Sequence, residues 1–95
     1  MIIHYAEIPH FPIPTNIGHG SELVYGKLYG KHVLFFKGRI HLLEGYRSFY
    51  HSWLGFFVGL LGCELLISSN ACGAITPELK VGDVMIMSDH LNCSN

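Results

Sequence analysis

The apolar run Val33-Leu34-Phe35-Phe36 gives way after Lys37 to Gly38-Arg39-Ile40-His41, and this junction constrains the chain more than any other stretch. Residues two apart on extended backbone point to the same side, so Arg39 and His41 are placed to face one ligand. A planar guanidinium beside an imidazole suits an oxyanion such as phosphate. Further on, Leu65-Leu66-Ile67-Ser68 runs into the small-residue turn Ser69-Asn70-Ala71-Cys72-Gly73. Two strand-to-loop junctions of this kind are where α/β sheets hold ligands. The plainer alternative is an exposed strand end on which Arg39 pairs with Glu44.

The rest of the chain is read around that junction. Residues 8–20 are rich in turn formers, and Pro12-Ile13-Pro14 disfavours helix. Residues 22–36 read as a hairpin with arms 23–28 and 32–36 and a turn at Tyr29-Gly30-Lys31, where Gly30 supplies the positive φ of a tight turn. The second arm is apolar throughout, which predicts a strand covered on both faces. Residues 48–61 read as a helix capped by Ser48, with Phe49, Trp53, Phe56, Phe57 and Leu60 at helical spacing. A second stripe of Ser48, Ser52, Gly55 and Gly59 is expected to let a neighbouring backbone approach. Gly62 is a natural terminator. Strands are expected at 64–69 and 84–87, joined by a polar connection over 77–83. Hairpin, helix and strand in that order predict an α/β fold in which the helix crosses over onto one mixed sheet, by the usual right-handed connection.

Composition excludes several function classes. Six Lys and Arg against seven Asp and Glu leave no basic stripe, which argues against nucleic acid or an anionic membrane as partner. The uncharged run around Trp53–Cys63 is bounded by Arg47 and Glu64 and falls short of a bilayer span, in spite of its Gly55-x-x-x-Gly59 spacing. Cys63, Cys72 and Cys93 are odd in number and lack zinc-type spacing, which predicts reduced thiols in the cytoplasm. The seven His show no metal-ligand spacing, and Cys72 has no neighbouring base that would make it a nucleophile. Charged residues are only 14% of the chain, well below the roughly 25% usual in soluble domains, so the sequence reads as part of something larger.

The motifs, in order, resemble the trimeric branch of the purine nucleoside phosphorylase family, which is related to the methylthioadenosine phosphorylases. The matching pieces are Glu7-Ile8-Pro9-His10-Phe11-Pro12, Gly18-His19-Gly20, Gly38-Arg39-Ile40-His41, Glu44-Gly45-Tyr46, Ser69-Asn70-Ala71-Cys72-Gly73 and Val81-Gly82-Asp83-Val84-Met85, continued by Asp89-His90-Leu91-Asn92. Glu44-Gly45-Tyr46 favours the nucleoside phosphorylases over the methylthioadenosine enzymes. The resemblance implies phosphorolysis of purine nucleosides to free base and ribose 1-phosphate, with inorganic phosphate as co-substrate and no metal or organic cofactor. It implies phosphate contacts from His19, Arg39, His41 and the Ala71 N–H, with Leu43 and Asn70 near the sugar. It also implies a homotrimer, with the helix aromatics divided between core and subunit contact.

Departures from the family pattern are expected to matter. The Gly-Ser-Gly phosphate loop and the purine-reading half of the family are not found in these residues. Leu43 stands where the family usually has Tyr, and Ala74 where it has Gly or Ser. The expectation is therefore a partial phosphorylase domain over residues 1–95, inactive on its own. The alternatives are a non-catalytic subunit or interaction module, and a methylthioadenosine phosphorylase-like enzyme.

Overall fold

A computed structural model describes residues 1–93. Three strands, β1 (Ile2–His4), β2 (Glu22–Leu28) and β3 (Lys31–Lys37), form one antiparallel sheet in the order β1-β2-β3. A single helix, α1 (Ser48–Leu60), follows β3. The hairpin closes through Tyr29 and Gly30, with Leu28 opposite Lys31. Both turn residues have positive φ, 48° and 78°, the twist that a two-residue hairpin loop demands. The turn is therefore one residue shorter than expected, and Tyr29 shares with Gly30 the left-handed conformation. Strand β1 was not anticipated. Its three residues pair with Val24, Leu23 and Glu22, and Met1 adds its ammonium to the Tyr25 carbonyl at 2.9 Å.

Register sorts the sheet into two faces. Ile3, Leu23 and Phe36 lie in one cross-strand row, and Ile2, Val24 and Phe35 in the next. Side chains alternate along a strand, so these rows face opposite ways. The first row looks onto the core, where Leu23 is buried and Phe36 meets Phe57 of α1 edge-on at 6.0 Å. Phe11 fills the remaining space, 4.6 Å from the Tyr5 ring and 5.4 Å from Phe57. Aromatic pairs of this kind each contribute about 0.5–1.5 kcal/mol beyond their buried area. Tyr5, Leu23 and Val58 are the most deeply buried apolar side chains, and Pro12 and Pro14 are buried beside them.

The second row corrects one expectation. Ile2 and Phe35 are each 61% exposed, so β3 is covered on one face and not on both. Its unbroken apolar run does not have a second layer packed against it among the described residues.

The helix also departs from its sequence reading at three points. Arg47, not Ser48, occupies the N-cap position, and its carbonyl accepts from Tyr50 N at 2.9 Å. The helix packs through Leu54, Phe57 and Val58, while Phe49, Phe56 and Leu60 are 55–83% exposed. Among the described residues nothing lies within 4 Å of a Cβ built on Gly55 or Gly59, so no neighbouring backbone approaches the stripe at its two glycines. The terminator was read correctly. Gly62 at φ 71° sends its N–H to Gly59 O, and Cys63 N–H reaches Val58 O, which is a Schellman closure.

Beyond the helix the structure has turns but no further strand among the described residues. The polar connection holds: Lys80 N donates to Asp83 Oδ2 at 2.8 Å and Asp83 N returns to Lys80 O at 3.0 Å. The segments 64–69 and 84–87 carry no ladder, and every residue in them is exposed. An apolar run becomes a strand only when a neighbouring strand takes up its N–H and C=O groups, and among the described residues no strand pairs with these two. The crossover is accordingly a helix leaving the sheet without a parallel strand to receive it. Among the described residues no helix is long and apolar enough to cross a membrane.

Candidate functional site

The site begins where β3 stops. Gly38 takes φ 117°, and a Cβ there would sit 2.8 Å from the Cβ of His19. Only glycine fits both constraints. The turn it makes brings the backbone of the next residue onto the 18–20 loop, and Arg39 N donates to His19 Nδ1 at 2.7 Å. The His19 loop is itself closed by His19 N to Asn16 O at 3.3 Å. Two residues further on, the His41 ring stands edge-on to His19, with centroids 5.0 Å apart and the two Nε2 atoms at 3.2 Å. The guanidinium of Arg39 reaches across to the second strand-end segment, where Nη1 donates to Ser69 O at 3.1 Å.

A carboxylate holds this arrangement from below. Glu44 Oε2 accepts from Thr15 N at 2.5 Å and from Thr15 Oγ1 at 2.7 Å. Glu44 Oε1 accepts from His41 N at 2.6 Å and from Asn16 Nδ2 at 3.4 Å. The Thr15 N–H, with the Thr15 hydroxyl and the His41 N–H, holds the Glu44 carboxyl down at about 2. Tyr46 adds a second clamp, its hydroxyl donating to Ile13 O at 2.8 Å and accepting from Ile13 N at 3.2 Å. The loop carrying Thr15 and Asn16 is thus fixed to the segment that follows Arg39. Glu44 does not pair with Arg39; the ion pairs among the described residues are those of Glu22 with Lys37 and with His4. Sequence reasoning missed this role of Glu44, although its position three residues after His41 is the spacing of a capping box.

Arg39 and His41 open onto a cavity of about 600 Å³ whose wall also includes Leu43, Tyr50, Trp53 and Ser68. Trp53 Nε1 is buried and has no hydrogen-bond partner. Of the residues proposed from the sequence, the structure brings His19, Arg39 and His41 together. Leu43 stands at the rim of the cavity, 99% exposed. Asn70 and Ala71 follow Ser69 but bond to each other, Asn70 Nδ2 to Ala71 O at 3.2 Å, and neither lines the cavity. The second junction therefore meets the first through Ser68 and Ser69, one step before the residues expected. Among the described residues no three His, Cys, Asp or Glu side chains group to hold a metal ion. Cys63, Cys72 and Cys93 are free thiols on the surface.

A guanidinium with one N–H committed and the others available, beside an imidazole, makes a donor-rich rim on an aromatic-walled cavity. The chemistry of such a rim suits an oxyanion, and that of the walls a planar or apolar group. Comparison with known proteins gives the family. A family model described as the phosphorylase superfamily matches residues 2–95. The purine nucleoside phosphorylase of Bos taurus is 41% identical over 88 residues, which is 93% of this chain and 30% of that protein. Purine nucleoside phosphorylase 1 of Geobacillus stearothermophilus is 42% identical over 90 residues, 95% of this chain and 33% of that protein. The Mus musculus purine nucleoside phosphorylase is 41% identical over 91 residues, 96% and 32%. The chain thus spans about a third of the length of these relatives. No solved structure matches it.

Proposed function

The chain belongs to the phosphorylase superfamily, and from that premise we propose that it forms part of a purine nucleoside phosphorylase and holds the phosphate of that reaction at Arg39 and His41. The three-stranded antiparallel sheet and single helix are consistent with part of the α/β phosphorylase fold. The observation that carries the reading is that Arg39 and His41 line one cavity while His19 bonds to both, to the Arg39 main chain and to the His41 ring.

The chemistry follows from what phosphorolysis needs. A phosphate oxygen attacks C1′ of the nucleoside as the glycosidic C–N bond breaks and the base leaves with the bonding pair. Charge on the sugar resembles an oxocarbenium ion at the transition state, as in glycoside cleavage. The protein's task is to align a dianion under the sugar and keep its charge directed there. Arg39, with Nη1 tied to Ser69 O, presents its remaining N–H donors in a fixed plane. His41 adds a donor without adding a compulsory charge. Leu43, at the open rim, lies toward the sugar in this reading, with Asn70 and the Ala71 N–H on the far side of Ser69.

Inorganic phosphate is a co-substrate in this reading, and neither a metal nor an organic cofactor takes part. A cytoplasmic homotrimer belongs to the same proposal, and the exposed Phe49 and Phe56 of α1 support a subunit contact. The test is inosine phosphorolysis by the purified chain, paired with a phosphate-binding isotherm and its oligomeric state. Phosphate-dependent hypoxanthine release is the outcome expected of an enzyme. Phosphate binding without release is the outcome expected of a partial domain inactive on its own, and it equally fits the alternative, a non-catalytic module. No binding overturns the phosphate assignment.

A further inference from the structure

One cross-strand row at the end of the sheet is ionisable on all three strands. His4 of β1 stands opposite Glu22 of β2, and Glu22 stands opposite Lys37 of β3. Each carboxylate oxygen of Glu22 faces one of them: Oε2 accepts from Lys37 Nζ at 2.9 Å, and Oε1 lies 3.9 Å from His4 Nδ1. The Lys37 stem crosses Gly20 on its way, where a Cβ would sit 2.9 Å from it. The next residue on each strand belongs to a second set of bonds. Tyr5 N donates to Ser21 O at 2.9 Å, and the Tyr5 hydroxyl donates to Gly38 O at 2.8 Å. Ser21 is held at φ 50°, a conformation that persists in a residue with a side chain only where its surroundings enforce it. The charged row thus lies directly behind the turn that carries Arg39.

We propose that His4, Glu22 and Lys37 form a clasp that tightens on acidification: a charged His4 completes a cation–anion–cation row that ties the end of β1 to the end of β3 and steadies the Gly38 turn. The Lys37 arm is present with His4 neutral or charged. Its hydrogen bond, above all, holds the Glu22 carboxyl below the usual 4.5. Glu22 is therefore still an anion when an imidazole gains its proton, in general near pH 6.5. Both arms coexist between about pH 4.5 and 6.5, and the His4 arm is lost as pH rises beyond that window. The other charged groups around β1 do not oppose this sign. The His4 N–H donates to Glu7 Oε2 at 3.1 Å, which places a second carboxylate beside it, and the Met1 ammonium at the far end of the strand is bound to Tyr25 O. β1 pairs with β2 alone, so no further strand faces His4. The His4 side chain is 62% exposed, which makes its arm a solvent-screened pair of modest strength. The clasp is the same whatever Arg39 binds.

The experiment is backbone amide exchange on the full chain at about pH 5.5 and about pH 7.5, each normalised to the exchange of unstructured peptide at that pH. Protection of the Tyr5 N–H should be roughly two- to fivefold higher at the lower pH, the range of an exposed ion pair. Variants separate His4 from the other histidines. His4→Gln cannot charge and should abolish the rise. His4→Lys is charged throughout and should keep Tyr5 at the higher protection at both pH values. Glu22→Gln removes both arms and should lower protection at both. A wild-type chain with equal or lower protection in acid would overturn the proposal, as would a rise that survives in His4→Gln. The link to the turn is read at the Arg39 N–H, whose protection in His4→Gln at the lower pH should fall together with that of Tyr5. A loss at Tyr5 with Arg39 unchanged would overturn that link.

Discussion

The Tyr5 hydroxyl donates to the Gly38 carbonyl at 2.8 Å across 33 residues of chain. This bond joins the end of β1 to the turn that carries Arg39, and it is made by the most buried large side chain in the protein. Tyr5→Phe keeps the ring against Phe11 and removes only the donor. Equilibrium unfolding should show a loss of about 1 kcal/mol, and an unchanged midpoint would mean that solvent already serves the carbonyl.

The same residue predicts an alkaline limit. Burial pushes the Tyr5 phenol up to about 12 from an ordinary 10.0. The fold favours the neutral form, so its contribution is complete below pH 10 and is lost as pH rises toward 12. Ultraviolet titration should find one tyrosine ionising late, and Tyr5→Phe should remove that phase.

Glu44 sets the acid limit. With its carboxyl held at about 2 against an ordinary 4.5, the fold favours the charged form. The stabilisation is complete above pH 4.5 and is lost as pH falls through about 2. Glu44→Gln should flatten this part of the stability profile and loosen the Thr15 loop, read as faster amide exchange at Thr15 and His41. An acid profile identical to wild type would show that the four hydrogen bonds carry no net stability.

Gly38→Ala should damage both fold and site. The new methyl meets His19 Cβ at 2.8 Å on backbone at φ 117°. A destabilisation of about 2 kcal/mol or more is expected from the backbone strain alone. Displacement of His19 should weaken phosphate binding further. A variant as stable as wild type would mean that the turn has another accessible geometry.

Leu43→Ala, by contrast, should leave stability within about 0.5 kcal/mol, because the side chain is 99% exposed. A larger loss in thermal unfolding would show that Leu43 packs in solution against something that covers the cavity.

What the sequence revealed was what short range decides. The hairpin over 22–36 follows from β-rich arms around Gly30, and α1 from the spacing of Trp53 and Phe57. The Gly62 stop needs only one residue of positive φ. Apart from the helix cap and the length of the hairpin turn, the failures are of longer range. Residues 64–69 and 84–87 have the composition of strands, but composition cannot say whether a partner strand stands beside them. The exposure of Phe49 and Phe56, and of Phe35 on the sheet, likewise depends on what packs across from them. Within the site, Arg39 and His41 were legible because they are two residues apart. That the His19 ring meets the His41 ring depends on a contact across 22 residues. The interlock of Glu44 with Thr15, 29 residues away, was equally out of reach, although its bond to His41 N was open to a capping-box reading.

The two-residue turn at Tyr29-Gly30 also has a consequence in time. The β2–β3 ladder pairs residues from Leu28 with Lys31 out to Glu22 with Lys37, so it closes short loops first and zips outward. Hairpins of this type form in roughly 1–10 μs. The contacts that build the rim around Arg39 join residues 20 to 33 apart and must wait for that ladder, since Gly38 and Arg39 hang from its final pair. The order of assembly therefore runs from turn to ladder to rim, and mutations at Tyr29 or Gly30 should slow folding, whereas mutations at His19 or Glu44 should chiefly speed unfolding.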